Sequence, residues 1–278
     1  MTSRAPGFYR PELDGLRFFA FLFVFIGHAL SNDSTYYTER GMSWTLGHVM
    51  AYVVSVGRFG VPLFFVLSSY LITELLIREH AFTGTIDVKR FYLRRALRIW
   101  PLYFVFVLTT YGVLNLDDRS SAAFSLPYLS SLLFFFGNWA MAWGWGPSVA
   151  DVVSAPLWSV SVEEQFYLTW PLLLVVTGVG NVRRVALVLI GLAIAVRLGM
   201  DLAGTRDTTS WYSTFTWLDS IGAGALLALR LKGRAPSLSA PSRVMLFTAG
   251  VGLWLLASVA FGLLPMNTIL YPLIVVGS

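Results

Sequence analysis

The sequence predicts an all-α protein, built as a polytopic bundle of transmembrane helices. Hydrophobic residues make up 56% of its 278 residues and charged residues only 13%, whereas an ordinary soluble domain is about a quarter charged. Apolar runs long enough to cross a bilayer, at roughly 17–25 residues each, recur along the chain. We therefore expect about seven to nine membrane segments in a single integral membrane domain that spans residues 1–278.

The apolar runs of span length can be placed directly on the sequence. They lie near 16–31, 59–77, 99–116, 157–178, 185–203, 214–231 and 244–264. A further run, 128–145, is rich in aromatic residues and glycine and lies between Pro127 and Pro147. The last apolar stretch, 267–278, is about 12 residues long and therefore too short to cross a bilayer.

Basic residues predict how these runs are threaded, because cytoplasmic loops are enriched in lysine and arginine. The basic clusters are Arg4, Arg10 and Arg17; Arg78, Lys89, Arg90, Arg94, Arg95 and Arg98; Arg183 and Arg184; and Arg230, Lys232, Arg234 and Arg243. All four clusters face the same side of the membrane only if 128–145 enters the bilayer and returns, or lies at the membrane–water interface. The prolines and glycines of this run favour such a bend. We predict that arrangement, with the N-terminus in the cytoplasm.

Composition also excludes several kinds of chemistry. The chain has no cysteine, which excludes disulfides, thiolate nucleophiles and cysteine-based metal sites. Its three histidines, His28, His48 and His80, are too scattered to suggest a metal site. The net charge of +5 is accounted for by cytoplasmic loops, so we expect no nucleic-acid partner.

The first span carries an arginine and a histidine on one face. Arg17 and His28 are separated by ten residues, so eleven steps of about 100° place them on nearly the same side, roughly 16 Å apart along the axis. Asp14 lies one turn before Arg17 and can orient its guanidinium. Ionisable groups inside a span mark a functional path. The alternative is a snorkelling arginine and a histidine that only bonds a neighbouring helix.

The second span contains Ser68 and Ser69 within Gly60-Val-Pro-Leu-Phe-Phe-Val-Leu-Ser-Ser69. Small residues let helices approach closely, so we interpret these serines as packing residues.

The head of the third span carries Arg95 and Arg98, three residues apart on one side of a helix. A guanidinium pair suits a phosphorylated ligand, since each fork can make bidentate bonds to phosphate. A topology signal or a lipid-headgroup site is the alternative.

After these three stretches, a fourth motif is Leu157-Trp-Ser-Val-Ser-Val-Glu-Glu-Gln-Phe-Tyr167, which has two adjacent carboxylates in an aromatic span. Glu163 and Glu164 are hard to explain as packing, and we interpret them as functional without choosing between them. Further along, Arg197 and Asp219 lie, like His28, in the outer half of the predicted bundle. They are candidates for substrate binding, and the alternative is a pair that holds two helices together.

Taken together, these stretches resemble the acyltransferase-3 family of membrane acyltransferases. The resemblance rests on an Arg–ten residues–His first span, a Gly-Val-x-x-Phe-Phe-x-Leu-Ser second span, an Arg-x-x-Arg before the third and a Trp-Ser-x-Ser-x-Glu-Glu-Gln-Phe-Tyr segment. Asp219-Ser-Ile-Gly222 adds a weaker match. The resemblance is strong over 10–175 and extends to about 231.

The resemblance implies transfer of an acyl group, with acetyl as the expected one, from acyl-CoA to a hydroxyl. Arg95 and Arg98 would hold the CoA phosphates at the cytoplasmic face. Arg17, oriented by Asp14, would steady the donor.

On the acceptor side, His28 would act as general base or carry the acyl group briefly itself, since an imidazole suits both tasks. A carboxylate of Glu163 or Glu164 would orient it.

The implied partners are acyl-CoA, the lipid bilayer and a hydroxyl-bearing glycan, lipid-linked sugar or metabolite. Because the thioester is already activated, we expect no bound cofactor and no metal. The expected location is the bacterial plasma membrane, which the chain would cross several times.

Two alternatives remain open. Intramembrane charges also suit a proton-coupled or acyl-group transporter without chemistry. The chain stops at Ser278 inside an apolar run, so we also expect a C-terminal truncation and consider an inactive relative.

Overall fold

In a computed structural model of the protein, the described residues are 10–116, 125–146, 154–205, 207–234, 236–263 and 267–278. Every regular element among them is helical and none is a strand, which confirms the all-α prediction. The α-helices are α1 (Pro11–Ala29), α2 (Ser34–Thr38), α3 (Trp44–Val56), α4 (Gly60–Thr83), α5 (Val88–Leu116), α6 (Leu126–Leu133), α7 (Gly137–Ala142), α8 (Leu157–Thr177), α9 (Val182–Leu202), α10 (Asp207–Tyr212), α11 (Leu218–Leu231), α12 (Ala240–Leu263) and α13 (Asn267–Gly277).

Four stretches of the described residues are long and apolar enough to cross a membrane. They are Trp44–Thr83, Val88–Val113, Val179–Leu202 and Ala240–Ala260, and they overlap the predicted runs at 59–77, 99–116, 185–203 and 244–264. The other predicted runs of span length also form helices, namely α1, α8 and α11. A multi-pass membrane protein fits these findings, while the total of seven to nine segments stays a prediction.

The run 128–145 does not form one long helix. It is divided into α6 and α7. The break between them contains Phe135, whose φ is 58°, a value that does not occur in a right-handed α-helix. The side chain of Ser125 caps α6 by accepting from the Tyr128 backbone N–H at 3.3 Å. Pro127 occupies the first turn of α6, where its missing N–H costs nothing. The bend fits the predicted one; Pro147 lies outside the described residues, as does Arg4 of the N-terminal basic cluster.

The chain divides into two compact units. One, here called the terminal unit, comprises Met1–Leu75, Val185–Asp201 and Trp217–Ser278. The other, the central unit, comprises Leu76–Arg184 and Leu202–Thr216. His28, Arg17, Asp14, Arg197 and Asp219 therefore belong to the terminal unit, and Arg95, Arg98, Glu163 and Glu164 to the central unit.

In the terminal unit, α1 packs directly against the backbone between α3 and α4. A Cβ on Gly57 would collide with the Phe23 carbonyl oxygen and lie 3.1 Å from the Gly27 nitrogen. A Cβ on Gly60 would likewise collide with the Ala20 carbonyl oxygen. The two glycines thus permit a backbone-to-backbone contact of the small-residue kind. This contact fixes the last turns of α1, where His28 lies.

Small residues also hold α11 against its neighbours in the terminal unit. A Cβ on Gly224 would lie 2.8 Å from the Ser69 Cβ of α4, and one on Gly222 would lie 2.7 Å from the Ala186 carbonyl oxygen of α9. The fully buried Ser69 donates its hydroxyl to the Ile221 carbonyl. The interpretation of Ser69 as a packing residue is confirmed.

In the central unit, aromatic rings join α5 to the turn between α6 and α7. The Phe135 ring centroid lies 4.8 Å from that of Tyr103 and 5.8 Å from that of Trp100. The Tyr103 hydroxyl donates to the Leu132 carbonyl at 2.9 Å. Offset ring pairs of this kind add about 0.5–1.5 kcal/mol each beyond their buried area. The turn is therefore held beside the N-terminal half of α5.

Candidate active site

The arginine and histidine of the first predicted span lie on one uninterrupted helix. α1 runs from Pro11 to Ala29 and contains both Arg17 and His28, as their spacing predicts. Arg17 is half-buried, whereas Asp14 and His28 are exposed. An orienting contact between Asp14 and Arg17 stays a prediction.

The ring of His28 is oriented by its own helix. Its Nδ1 lies 2.8 Å from the Val24 carbonyl oxygen. A carbonyl oxygen can only accept, so Nδ1 carries the hydrogen, and the lone pair of the neutral ring is on Nε2. Nε2 is therefore the atom that can take a proton or attack a carbonyl. Because Val24 already sets this tautomer, the orienting role predicted for Glu163 or Glu164 is not needed for it, and that role stays a prediction.

The structure distinguishes the two adjacent glutamates in the central unit. Glu164 is 2% exposed, whereas Glu163 is only half-buried. The indole Nε1 of Trp100 donates to Glu164 Oε2 at 3.0 Å. The other oxygen, Oε1, is buried and accepts no hydrogen bond from the described part of the chain. Glu164 is thus a fixed carboxylate with one buried oxygen still able to accept a proton or a hydrogen bond.

The arginine pair of α5 is split between two environments. Arg95 is half-buried, with its Cζ 5.3 Å from the Tyr167 ring centroid and 5.6 Å from that of Phe91. Arg98, one turn further on, is exposed. The central unit therefore places Arg95 against aromatic rings and leaves Arg98 exposed.

A closed polar ring lies next to Glu164 along the chain. The Gln165 amide donates to Asn138 Oδ1 at 2.9 Å and to the Phe135 carbonyl at 2.7 Å. The Asn138 amide donates to Thr214 Oγ1 at 2.9 Å and to the Tyr212 carbonyl at 3.0 Å. The Thr214 hydroxyl closes the ring by donating to Gln165 Oε1. Three separate segments of the central unit are thereby joined at α8.

Arg197 and Asp219 form a buried ion pair in the terminal unit. Arg197 Nη2 lies 2.7 Å from Asp219 Oδ2, and the side chains are 0% and 6% exposed. Asp219 Oδ1 accepts from the Ser220 N–H at 2.8 Å. The Arg197 Cζ also lies 5.2 Å from the Tyr271 ring centroid. This contact favours the alternative in which the pair holds α9 and α11 together, while a role in substrate binding stays a prediction.

Comparison with known families decides what class of protein this is. The family model of the acyltransferase domain, acyltransferase-3, matches residues 10–278. The chain belongs to the acyltransferase-3 family. The resemblance predicted from the four sequence motifs is confirmed.

Several curated relatives of this acyltransferase-3 chain carry names that state an activity. The peptidoglycan O-acetyltransferase OatA of Listeria monocytogenes is 30% identical over 244 residues, which are 82% of this chain and 35% of that protein. YrhL of Bacillus subtilis, provisionally named a peptidoglycan O-acetyltransferase, is 34% identical over 60% of this chain and 24% of its own. SAS0844 of Staphylococcus aureus, provisionally named an O-acetyltransferase, is 32% identical over 60% and 25%. The chain thus spans about a quarter to a third of these relatives, and no solved structure matches it.

The acyltransferase-3 assignment supports the predicted enzyme class, a transferase of acyl groups other than aminoacyl groups. Sequence reasoning missed Trp100, Asn138 and Thr214 as contacts of the fourth motif. Trp100 had a weak signal, since it follows Arg98 on the same helix. Asn138 and Thr214 had none, because they meet Gln165 only through the fold.

Replacing Gln165 by leucine is expected to destabilise the protein. The change removes the donor to Asn138 Oδ1 and to the Phe135 carbonyl, and a buried polar group left without its partner costs about 1–3 kcal/mol. Thermal unfolding in detergent, followed by intrinsic fluorescence, should show a clear fall in the midpoint. Thr169→Ala, one turn further along α8 and exposed, is the matched control and should change little. An unchanged midpoint for Gln165→Leu would show that the ring does not stabilise the unit.

Proposed function

We propose that this chain is a membrane-embedded O-acyltransferase that moves an acyl group from acyl-CoA to a hydroxyl. Acetyl is the expected acyl group, since the relatives are named O-acetyltransferases. The observation that carries the proposal is the ring of His28, whose Nε2 holds the lone pair in an exposed position at the end of α1. Membership of the acyltransferase-3 family supports it independently.

His28 can act in either of two ways. As a general base, Nε2 takes the proton of the acceptor hydroxyl while its oxygen attacks the thioester carbonyl, and the thiolate of CoA leaves. As a carrier, Nε2 itself attacks the thioester carbonyl and CoA leaves as thiolate. The acceptor hydroxyl then attacks the acyl-imidazole, the bond from Nε2 to the acyl carbon breaks, and the thiolate takes up the hydroxyl proton. The hydrogen bond from Nδ1 to Val24 serves both routes, since it stabilises the positive ring that each one forms.

The donor would be held by the arginines. Arg95 and Arg98 are the proposed phosphate-binding residues, supported by the fit of a guanidinium fork to phosphate oxygens. Arg17 is proposed to steady the donor with the help of Asp14. Glu164 rather than Glu163 is the better candidate for a further polar contact, because it is buried and fixed by Trp100.

The acceptor is proposed to be a glycan of the cell envelope. The support is chemical: the Listeria relative is named for peptidoglycan, a glycan that bears hydroxyl groups. We propose a multi-pass location in the bacterial plasma membrane with a cytoplasmic N-terminus, supported by the basic residues of the predicted inner loops. That orientation would place the acyl-CoA site at Arg95 and Arg98 on the side where acyl-CoA is made.

The direct test is transfer of label from acetyl-CoA in membranes that contain the chain. Total envelope glycans and lipids serve as acceptors, and membranes without the chain are the control. Label that reaches an acceptor only in the presence of the chain supports the proposal and identifies the acceptor fraction. A folded chain that binds acetyl-CoA but transfers no label would contradict it.

Replacing Arg95 and Arg98 together by alanine is expected to weaken acetyl-CoA binding. Each lost charged contact costs about 1.5–3 kcal/mol, which is about tenfold or more in Kd. Binding is measured by titration of the purified protein. Arg94→Ala is the matched control, because Arg94 is exposed on the same helix and lies 3.8 Å from Glu79. Equal affinities for the parent and the double variant would exclude these arginines as the phosphate site.

A further inference from the structure

A second histidine of the terminal unit faces a serine hydroxyl. Ser34 Oγ lies 3.3 Å from His48 Nε2, and His48 Nδ1 lies 2.8 Å from the Trp44 carbonyl oxygen. Since the carbonyl only accepts, Nδ1 carries the hydrogen and Nε2 the lone pair. The serine O–H is therefore the donor and His48 the acceptor. The serine hydroxyl is thus placed as a nucleophile, His48 as its base, and the Trp44 carbonyl as the group that orients the base.

The helix pair α2 and α3 holds this contact in place. The Asp33 side chain caps α2 by accepting from the Thr35 N–H at 2.9 Å, and the Ser43 side chain caps α3. At Gly47 the two helices approach so closely that a Cβ would lie 3.3 Å from the Ser34 carbonyl oxygen. A Cβ there would also lie 3.0 Å from Thr38 Cγ2, so a larger residue would require the neighbouring atoms of α2 to shift.

The ring of His48 has a defined orientation as well. It lies on the indole of Trp44, with ring centroids 4.0 Å apart and an interplanar angle of 32°. Together with the bond to the Trp44 carbonyl, this contact limits the ring to one position. His48 is exposed and Ser34 is half-buried, so the protein itself covers neither side chain completely. Ser34 follows His28 in the chain by a short turn after α1.

We propose that Ser34 is a second acyl carrier, with His48 as its general base, which receives the acyl group from the site at His28 and passes it to the acceptor hydroxyl. This inference rests on the proposed function, because it needs an activated acyl group at that site. A hydrogen bond that merely ties α2 to α3 would explain the same contact, and the experiment distinguishes the two.

The transfer balances in two steps. In the first, Ser34 Oγ attacks the acyl carbonyl, its proton moves to His48 Nε2, and the bond from the carbonyl carbon to the thiolate or imidazole breaks. The leaving group then takes up the proton from His48. In the second, the acceptor hydroxyl attacks the serine ester and gives its proton to Nε2, the ester bond breaks, and that proton returns to Ser34 Oγ. No oxidant or metal enters either step.

The test uses p-nitrophenyl acetate as an activated donor that needs no CoA site. The whole chain in detergent is treated with this ester, digested and analysed by mass spectrometry. We expect an acetyl group on Ser34, no such group in Ser34→Ala, and acylation slowed by about 10²–10⁴-fold in His48→Gln, the range for loss of a general base. Ser31→Ala is the matched control, because Ser31 lies in the same turn and accepts from the Asp33 N–H.

Transfer from labelled acetyl-CoA then separates this inference from the proposed function. Ser34→Ala should transfer at least tenfold less label than Ser31→Ala, with the same thermal midpoint. Undiminished transfer by Ser34→Ala would overturn the carrier and leave the proposed function intact. Failure of the ester to acetylate Ser34 in the folded parent would also overturn it. Acetyl on Ser34 in a parent that transfers nothing from acetyl-CoA would support the Ser34–His48 site and contradict the proposed function.

Discussion

Replacing His28 by alanine is expected to lower acyl transfer by about 10²–10⁴-fold, the contribution of a general base, and by more if His28 carries the acyl group. The reason is that Nε2 is the lone-pair atom and alanine offers nothing in its place. Folding should not change, because His28 is exposed and its ring hydrogen-bonds Val24 of the same helix. Label transfer, acetyl-CoA binding and the thermal midpoint are measured together.

The third histidine provides the matched control. His80 is exposed near the end of α4, and no part of the proposed reaction involves it. His80→Ala should therefore transfer label at the parental rate. If His28→Ala also kept that rate, His28 would have no place in the chemistry. If His28→Ala lost acetyl-CoA binding as well, the residue would act on the donor and not as base or carrier.

Helical geometry made the course of α1 predictable. The spacing of Arg17 and His28 is local, and α1 continues through both residues as the pattern requires. The packing role of Ser69 was also predictable, because small residues inside an apolar span usually allow helices to approach each other. The break in 128–145 was also predicted from its glycines and flanking prolines, but its position at Phe135 was not.

Contacts between distant segments were not predictable. Adjacent helical residues point about 100° apart, so the sequence could not say whether Glu163 or Glu164 is buried, and Trp100 decides it only in the folded unit. Gln165 meets Asn138 and Thr214 only because three segments converge. The Val24 carbonyl that orients His28 belongs to α1 itself, and an orienting role for Glu163 or Glu164 stays a prediction.

The rings of His28 and His48 are oriented by the same kind of hydrogen bond within their own helices. In each case Nδ1 bonds the carbonyl oxygen four residues earlier, Val24 or Trp44, at 2.8 Å. Inside a helix such an acceptor is always present at that position, so a histidine that points back along its helix acquires the tautomer with the lone pair on Nε2. An acyl-transfer protein can therefore prepare a base without a partner helix.

Replacing Asp219 by asparagine is expected to cost about 3–5 kcal/mol of stability, the usual effect of removing one member of a buried ion pair. Asparagine keeps the volume of the side chain, so the loss reports the uncompensated charge of Arg197 and not a cavity. The midpoint of thermal unfolding in detergent should fall strongly. The control is Glu79→Gln, because Glu79 pairs with the exposed Arg94 and such a pair contributes at most about 1 kcal/mol.

A double variant decides whether the pair is structural or binds substrate. Arg197→Met with Asp219→Leu removes both charges, and apolar replacements of similar size often restore the stability of a buried pair. If the pair only joins α9 to α11, the double variant should recover its thermal midpoint and transfer label like the parent. A double variant that is stable but transfers nothing would instead place Arg197 and Asp219 at the substrate. Low stability in both variants would show that the Tyr271 ring and the helices around it need the charged pair itself.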